Sequence, residues 1–256
     1  MRLERSLAAA VLAIGLTLAL APGQLEAQNI AQVWTVKPAA GASTGFESAF
    51  RDHMEWRKAN GETWNWITYE VVTGPNRGDY IVRSGDHTWA DFDEYEAGFG
   101  PKGGFSFGAT VMPLVASATM TITATDATKL RLPDDMAEYN LFRVITWNLK
   151  PGRERAFNKA VDQYHEAITE ADAPTYYAFV NPVAGAAGPS VTGVFFEKNW
   201  AGFAGDDPTM EEMMIEKYGE DGFAEIVEQI SSSMVSSESQ VIRVRWDLSI
   251  VLDDGM

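Results

Sequence analysis

The sequence predicts an α+β protein: two tandem β-α-β-β-α-β repeats whose antiparallel sheets pack face to face as a barrel within one chain. Three observations carry this. Residues recur along the chain at a nearly constant spacing, which marks a duplicated unit. Within each copy the apolar period switches between two and 3.6 in the same order. The strand segments also hold more aromatic residues than a sheet with one wet face would tolerate.

The recurrence is specific. Trp34 and Trp147, Lys37 and Lys150, and Pro38 and Pro151 stand 113 residues apart. After a loop shorter by two in the second copy, Phe46 and Phe157, Ala49 and Ala160, Gly74 and Gly185, Trp89 and Trp200, and Phe92 and Phe203 stand 111 apart. Gly108 and Gly222, Ser117 and Ser231, Met120 and Met234, and Arg131 and Arg245 stand 114 apart. A period this long means two domain-sized repeats, 28–135 and 136–256, rather than a solenoid.

Each copy opens on a short apolar strand, 31–37 and 141–150, stopped by Lys-Pro because proline has no N–H for the ladder. A helix follows. Phe46, Ala49, Phe50, His53 and Met54 fall on one stripe, as do Phe157, Ala160, Val161, Tyr164, His165 and Ile168. Two aromatic and β-branched strands come next, 63–73 with 79–85 and 175–183 with 190–197, separated by Gly74 to Gly78 and Gly185 to Pro189 as turns. A second helical region begins near Trp89 and Trp200, with its longer part at 105–119 and 222–234. Pro113 predicts a kink or late start in the first of these. The last strands are 127–132 and 240–251. This order is the ferredoxin-like pattern, with both helices on one face of the sheet. The other face needs cover. Burying Trp34, Trp64, Trp66, Tyr69, Trp147, Tyr176, Tyr177 and Phe179 between the two sheets supplies it.

The chain of 256 residues carries 20 Lys and Arg against 36 Asp and Glu, a net charge of −16, which disfavours nucleic acid as a partner. It has no cysteine, so disulfides, thiolate catalysis and Cys-ligated metals are excluded. Arg2 and Arg5 precede an uncharged apolar run, Leu7 to Ala21, broken by Pro22-Gly23 and followed by small residues to Ala27. That is the layout of a secretory signal peptide. Cleavage is expected after Ala27, with Ala19-Leu20-Ala21 as a second candidate, giving a secreted or periplasmic protein without a stable membrane anchor. The run is shorter than the roughly 20 residues a spanning helix needs.

A strand ending in Lys37-Pro38, then Phe46-x3-Phe50-x2-His53 on a helix, strands carrying Tyr69 and Tyr80, and Trp89-x2-Phe92 after them resemble the dimeric α/β-barrel superfamily. That superfamily includes antibiotic-biosynthesis-monooxygenase-like, stress-responsive, NIPSNAP-like and haem-handling members. The resemblance implies a ligand cleft between the sheet and its helices, within one repeat. It does not fix the chemistry.

Candidate site residues follow. The resemblance implies that Asn65, Trp66, Tyr69, Tyr176 and Tyr177 hold a small hydrophobic or aromatic ligand that reacts directly with oxygen, without a cofactor. His165 and His53 are the candidate catalytic bases, because imidazole titrates near neutrality. Three readings stay open: a monooxygenase-like enzyme, a non-catalytic binding or assembly module, and a haem protein. The haem reading takes its axial ligand from His165, which lies on the helix that carries this ligand in the chlorite-dismutase-like branch. The strand after that helix offers no distal arginine. Sheet edges leave room for a homo-oligomer. Gly98 to Gly104 fails the phosphate-loop spacing and is expected to be a mobile linker. Asp91, Asp93, Glu94 and Glu96 read as a solvated helix face, and Asp206 to Thr209 as a helix start.

Overall fold

The computed structural model describes residues 29–205 and 207–252; the expected leader and the cleavage point after Ala27 lie outside them. The first half runs β1 (Ile30–Pro38), α1 (Ser43–Ala59), β2 (Ile67–Val71), β3 (Tyr80–His87), α2 (Trp89–Ala97), α3 (Gly100–Thr110) and β4 (Val115–Arg131). The second runs β5 (Leu141–Leu149), α4 (Glu154–Glu170), β6 (Tyr177–Ala184), β7 (Ser190–Glu197), a 3-10 turn at Trp200–Ala204, α5 (Met210–Ser233) and β8 (Met234–Val244).

Local chemistry sets the joints. After each opening strand the chain turns through a glycine with positive φ, Gly41 (+76°) and Gly152 (+80°), a conformation costly for any residue with a Cβ. Thr88 caps α2: its hydroxyl accepts the Asp91 N–H while the Asp91 carboxylate accepts the Thr88 N–H. Asp91 is therefore a capping residue within the expected acidic face. Thr209 and Glu212 make the same reciprocal cap on α5, the helix expected to start there.

Two expectations are corrected. The helix read at 105–119 ends at Thr110; Pro113 sits in a 3-10 turn at Met112–Leu114, and residues 115–119 are already strand, paired with β1 through Lys37 and Ser117. Proline removes a helical N–H, and the β-branched residues beyond it suit a pleated strand. The segment Gly98 to Gly104, expected as a linker, runs directly from α2 into α3, whose first helical residue is Gly100.

The eight strands form one closed barrel in the order β1-β3-β2-β8-β5-β7-β6-β4, with the neighbouring strands antiparallel. The halves interlock at two seams: β2 pairs with β8 (Tyr69 opposite Val244) and β4 with β6 (Ala124 opposite Asn181). Closure leaves neither half with a free sheet edge. Arg245, just past β8, reinforces one seam. It donates to both carboxylate oxygens of Glu47 on α1 at 2.9 Å and to Glu70 on β2 at 3.2 Å. The guanidinium pulls the Glu47 carboxyl down to about 2.

The aromatic residues face the other way from the expectation. Trp34, Trp64 and Trp66 pack with Phe46, Phe50 and Met54 of α1, outside the barrel and under the helices. Trp147, Tyr177 and Phe179 do the same with Phe157, Val161 and Ile168 of α4. The barrel interior is filled by Val71, Phe142, Val144, Ile242 and Val244, with Tyr69 the large aromatic that the first half sends inward. Alternation makes Trp66 and Tyr69 point to opposite faces, and it is the helices that need the larger side chains to fill the layer between them and the sheet. Among the described residues no helix is long and apolar enough to cross a membrane.

Candidate functional site

Between the first half's sheet and helices α1 and α3 lies a cavity of about 370 Å³. That is within the range of small-molecule sites. Its walls are Trp34 and Trp66 from the sheet, Phe50 and Met54 from α1 and Phe107 from α3. Each is placed by the same rule: alternation on the strand, and i, i+4 spacing on the helix.

One end of the cavity is charged. Arg57, one turn beyond His53 on α1, donates from Nε to Glu62 Oε2 at 2.6 Å, and its Nη2 forms an ion pair with the same oxygen at 2.5 Å. The Glu62 side chain is fully buried. Its other oxygen accepts the N–H groups of Thr63 and Trp64, each at 2.9 Å. Tyr95 from α2 donates to Glu62 Oε2 at 3.1 Å and receives Arg57 Nη2. Burial pushes the Tyr95 hydroxyl well above the usual phenol range, with Arg57 opposing and Glu62 adding to the rise. The guanidinium also lies 4.7 Å from the Trp66 ring centroid and 5.6 Å from that of Phe99. It is a cation fixed by hydrogen bonds and an ion pair and flanked by two aromatic rings. The buried Trp66 indole N–H interacts with the Tyr95 hydroxyl and opposes the rise in its pKa.

Tyr95 separates this cavity from an open cleft of about 670 Å³, which also touches Asn65, Trp64, Arg83 and His87. Trp64 is sandwiched there, 3.8 Å from the His87 ring and 3.9 Å from the Tyr95 ring, both stacked. His87 shares a hydrogen bond with Ser84 at 2.7 Å. Burial lowers its pKa, with Asp91 and Asp86 opposing and Arg83 assisting.

The structure does not gather the sequence-predicted residues into one place. Trp66 lines the cavity. Asn65 lines the neighbouring cleft, where its side-chain oxygen accepts the Leu252 N–H at 2.7 Å. Tyr69 points into the barrel, edge-on to Phe142. Tyr176 packs edge-on to Tyr139 in the second half. Tyr177 is buried under α4, where its hydroxyl meets His165 Nδ1 at 2.8 Å; burial pushes it up to about 12. His53 packs against Phe50 and Phe107 without lining the cavity itself. Its Nδ1 lies 3.2 Å from Ser106 Oγ and its Nε2 has no partner. Burial, and then the nearby Arg57 charge, lowers its pKa to about 4, so the ring is neutral at pH 7. His165 is lowered too, by burial first and then by Arg131 and Lys129.

His165 lines neither space described above, and its Nδ1 is engaged by Tyr177. Among the described residues no cluster of three or more His, Asp or Glu side chains is arranged to hold a metal ion. Sequence reasoning missed Arg57, Glu62, Tyr95 and His87 as site residues. Only Arg57 left a signal: an arginine four residues after His53 continues the buried stripe of α1.

No protein-family model matches the sequence, and no curated protein matches it. Solved structures do. A structure described as an anthrone oxidase-like protein superposes with a TM-score of 0.55 at 11% identity, covering 86% of this chain and 92% of that one. A "putative monooxygenase" from Lactobacillus acidophilus NCFM gives 0.53 at 12% identity, covering 88% and 100%. One from Fusobacterium nucleatum subsp. nucleatum gives 0.53 at 13%, covering 86% and 94%. This chain has the dimeric α/β-barrel fold. Here a single polypeptide closes the barrel, each half covers its own outer face with helices, and the aromatic cavity belongs to the first half.

Proposed function

We propose that the protein binds a flat, apolar aromatic compound in the first-half cavity and oxidises it with molecular oxygen, in the manner of a cofactor-independent monooxygenase. The observation that carries this is an aromatic-walled cavity closed at one end by a guanidinium pinned to a buried carboxylate. Apolar walls hold the rings. The fixed cation at Arg57 stabilises negative charge on a ligand oxygen, favouring an enolate or phenolate over the neutral form. Such an anion is electron-rich enough to reduce oxygen. For a cyclic ketone with a reactive methylene the balance is simple: the methylene becomes a carbonyl, one oxygen atom enters the product and the other leaves as water. The solved structures of the same fold described as anthrone oxidase-like and as monooxygenases support this reading without assigning a substrate to this chain.

His53 stands behind the cavity wall, and its low pKa makes it a weak base. The reading therefore places the catalytic burden on Arg57. The test uses anthrone, a three-ring ketone with one reactive methylene. Titration is expected to quench tryptophan fluorescence with one site per chain, and oxygen uptake is expected to exceed the buffer rate. Arg57→Lys, which keeps the charge but loses the fork and the stacking, is expected to lower the rate at least tenfold. Binding without uptake would leave a non-catalytic binding module. Absence of both would overturn the proposal.

A further inference from the structure

A closed ring of antiparallel strands sorts its own ends. Every second strand runs the same way, so β3, β8, β7 and β4 all finish at one end of the barrel, where β1, β2, β5 and β6 begin. The register agrees: Ile30 stands opposite His87, and Leu141 opposite both Glu197 and Arg243. Each of the four finishing strands is followed within three residues by an exposed large apolar side chain: Trp89 after β3, Trp246 after β8, Trp200 after β7 and Leu132 after β4. Their exposures are 43%, 52%, 51% and 50%. All eight tryptophans lie among the described residues, and only Trp89, Trp200 and Trp246 are exposed. Every exposed indole is therefore at this end.

Three features say what this end meets. The first is shape. Trp89 and Trp200 belong to opposite halves and rest on Phe92 and Phe203 of their own half. Side chains spread round a barrel rim cannot close on one small molecule, whereas a flat surface meets them all. The second is chemistry. Tryptophan is favoured at the boundary between lipid and water, where its ring is in apolar surroundings and its N–H stays wet. The third is the path of the chain. Ile30 opens β1 at this end, and the expected leader cleavage point after Ala27 lies three residues before it. A leader is cut at a membrane surface, so export leaves this end nearest the lipid.

Charge narrows the kind of lipid. Lys198 is paired with Glu138, and Arg51 and Arg245 with Asp247. Asp86, Asp134 and Asp135 add exposed negative charge at the same end. Such a rim is repelled by anionic headgroups.

We propose that this end of the barrel is an interfacial docking face that seats reversibly on a membrane of zwitterionic lipid, with Trp89, Trp200 and Trp246 at headgroup level. The open cleft lined by Asp86, His87 and Val251 belongs to the same end. Docking sets its mouth against the lipid, the phase in which apolar compounds collect. The docking face stands whatever the cavity binds.

The test is co-sedimentation of the exported protein with phosphatidylcholine vesicles, and with vesicles of equal parts phosphatidylcholine and phosphatidylglycerol. Wild type is compared with Trp89→Ser/Trp200→Ser/Trp246→Ser and with Val183→Ser/Val235→Ser, which removes two exposed apolar residues near the opposite end. All three chains share one N-terminus, so a retained leader cannot produce a difference between them. Wild type is expected to bind phosphatidylcholine about tenfold or more tightly than the triple variant, and the valine variant to stay within about twofold of wild type. The phosphatidylglycerol mixture is expected to bind more weakly. A nitroxide-labelled phosphatidylcholine is expected to quench wild-type tryptophan fluorescence more from a headgroup label than from an acyl-chain label, a readout that needs no variant to fold. No binding to phosphatidylcholine, equal binding by a folded triple variant, an equal loss in the valine variant, tighter binding to the anionic mixture or absence of headgroup quenching would overturn the proposal. Self-association of wild type, lost in the triple variant and without vesicle binding, would overturn it too by assigning the face to a second copy.

Discussion

The Arg57 guanidinium lies 4.7 Å from the ring centroid of Trp66, joining a cation on α1 to an aromatic residue just ahead of β2. The pair marks where the first-half cavity changes from apolar to charged. Arg57 is held there by Glu62, whose side chain is fully buried. Cation, carboxylate and indole therefore form one unit, and disturbing any member exposes the others.

Breaking the Arg57–Glu62 pair should be expensive. With one partner gone, the other stays buried and unpaired, a loss of about 3–5 kcal/mol. Arg57→Met and Glu62→Met are each expected to lose an amount of this order in urea unfolding, while the double variant should lose less than the sum. Full additivity would show that the two side chains do not couple.

Acid should weaken the fold partly through His53. Its folded pKa is about 4 against an ordinary 6.5, so the native state favours the neutral ring. The contribution is fully present above pH 6.5 and is lost as pH falls towards 4; the shift corresponds to about 3 kcal/mol. His87 and His165 are lowered in the same direction, so the informative quantity is the difference between wild type and His53→Gln. Unfolding free energies at pH 7.5 and pH 4.5 should show a smaller pH-dependent loss in the variant. Parallel losses would mean His53 is not the titrating group.

The equivalent turn glycines Gly74 and Gly185 share a φ of +84° but not their surroundings. A Cβ at Gly185 would stand 2.5 Å from the Met120 carbonyl oxygen, whereas at Gly74 the nearest atom is 3.4 Å away. Gly74→Ala should cost about 1–2 kcal/mol from the positive φ alone. Gly185→Ala should cost clearly more, because strand β4 must shift at the seam with β6. Thermal unfolding of the two variants side by side checks the order.

Export is a separate prediction, made from the sequence alone. Expressed with its natural start in a bacterial host, the protein is expected outside the cytoplasm with Gln28 as its first residue. N-terminal sequencing of the exported material reads this directly. A chain that keeps residues 7–21 would instead have an uncleaved apolar leader.

The sequence by itself determined the repeat and most of the element order. The stripes Phe46–Phe50–Met54 and Phe157–Val161–Ile168 read as helices because burial on one face imposes a 3.6-residue period, and both helices formed. Where two rules competed, local pattern was insufficient. The glycines after Gly98 look like a linker until packing against α1 and α2 stabilises them as α3, and the small polar residues of β4 carry little alternation. Only the tertiary structure decided which face of each strand met the helices. Alternation shows that Trp66 and Tyr69 diverge, but not which of them lies under α1. It also decided the site, since Arg57, Glu62 and Tyr95 come from two helices and a loop and owe their chemistry to mutual burial. Periodicity is written in neighbouring residues; a buried ion pair exists only after distant segments have excluded water together.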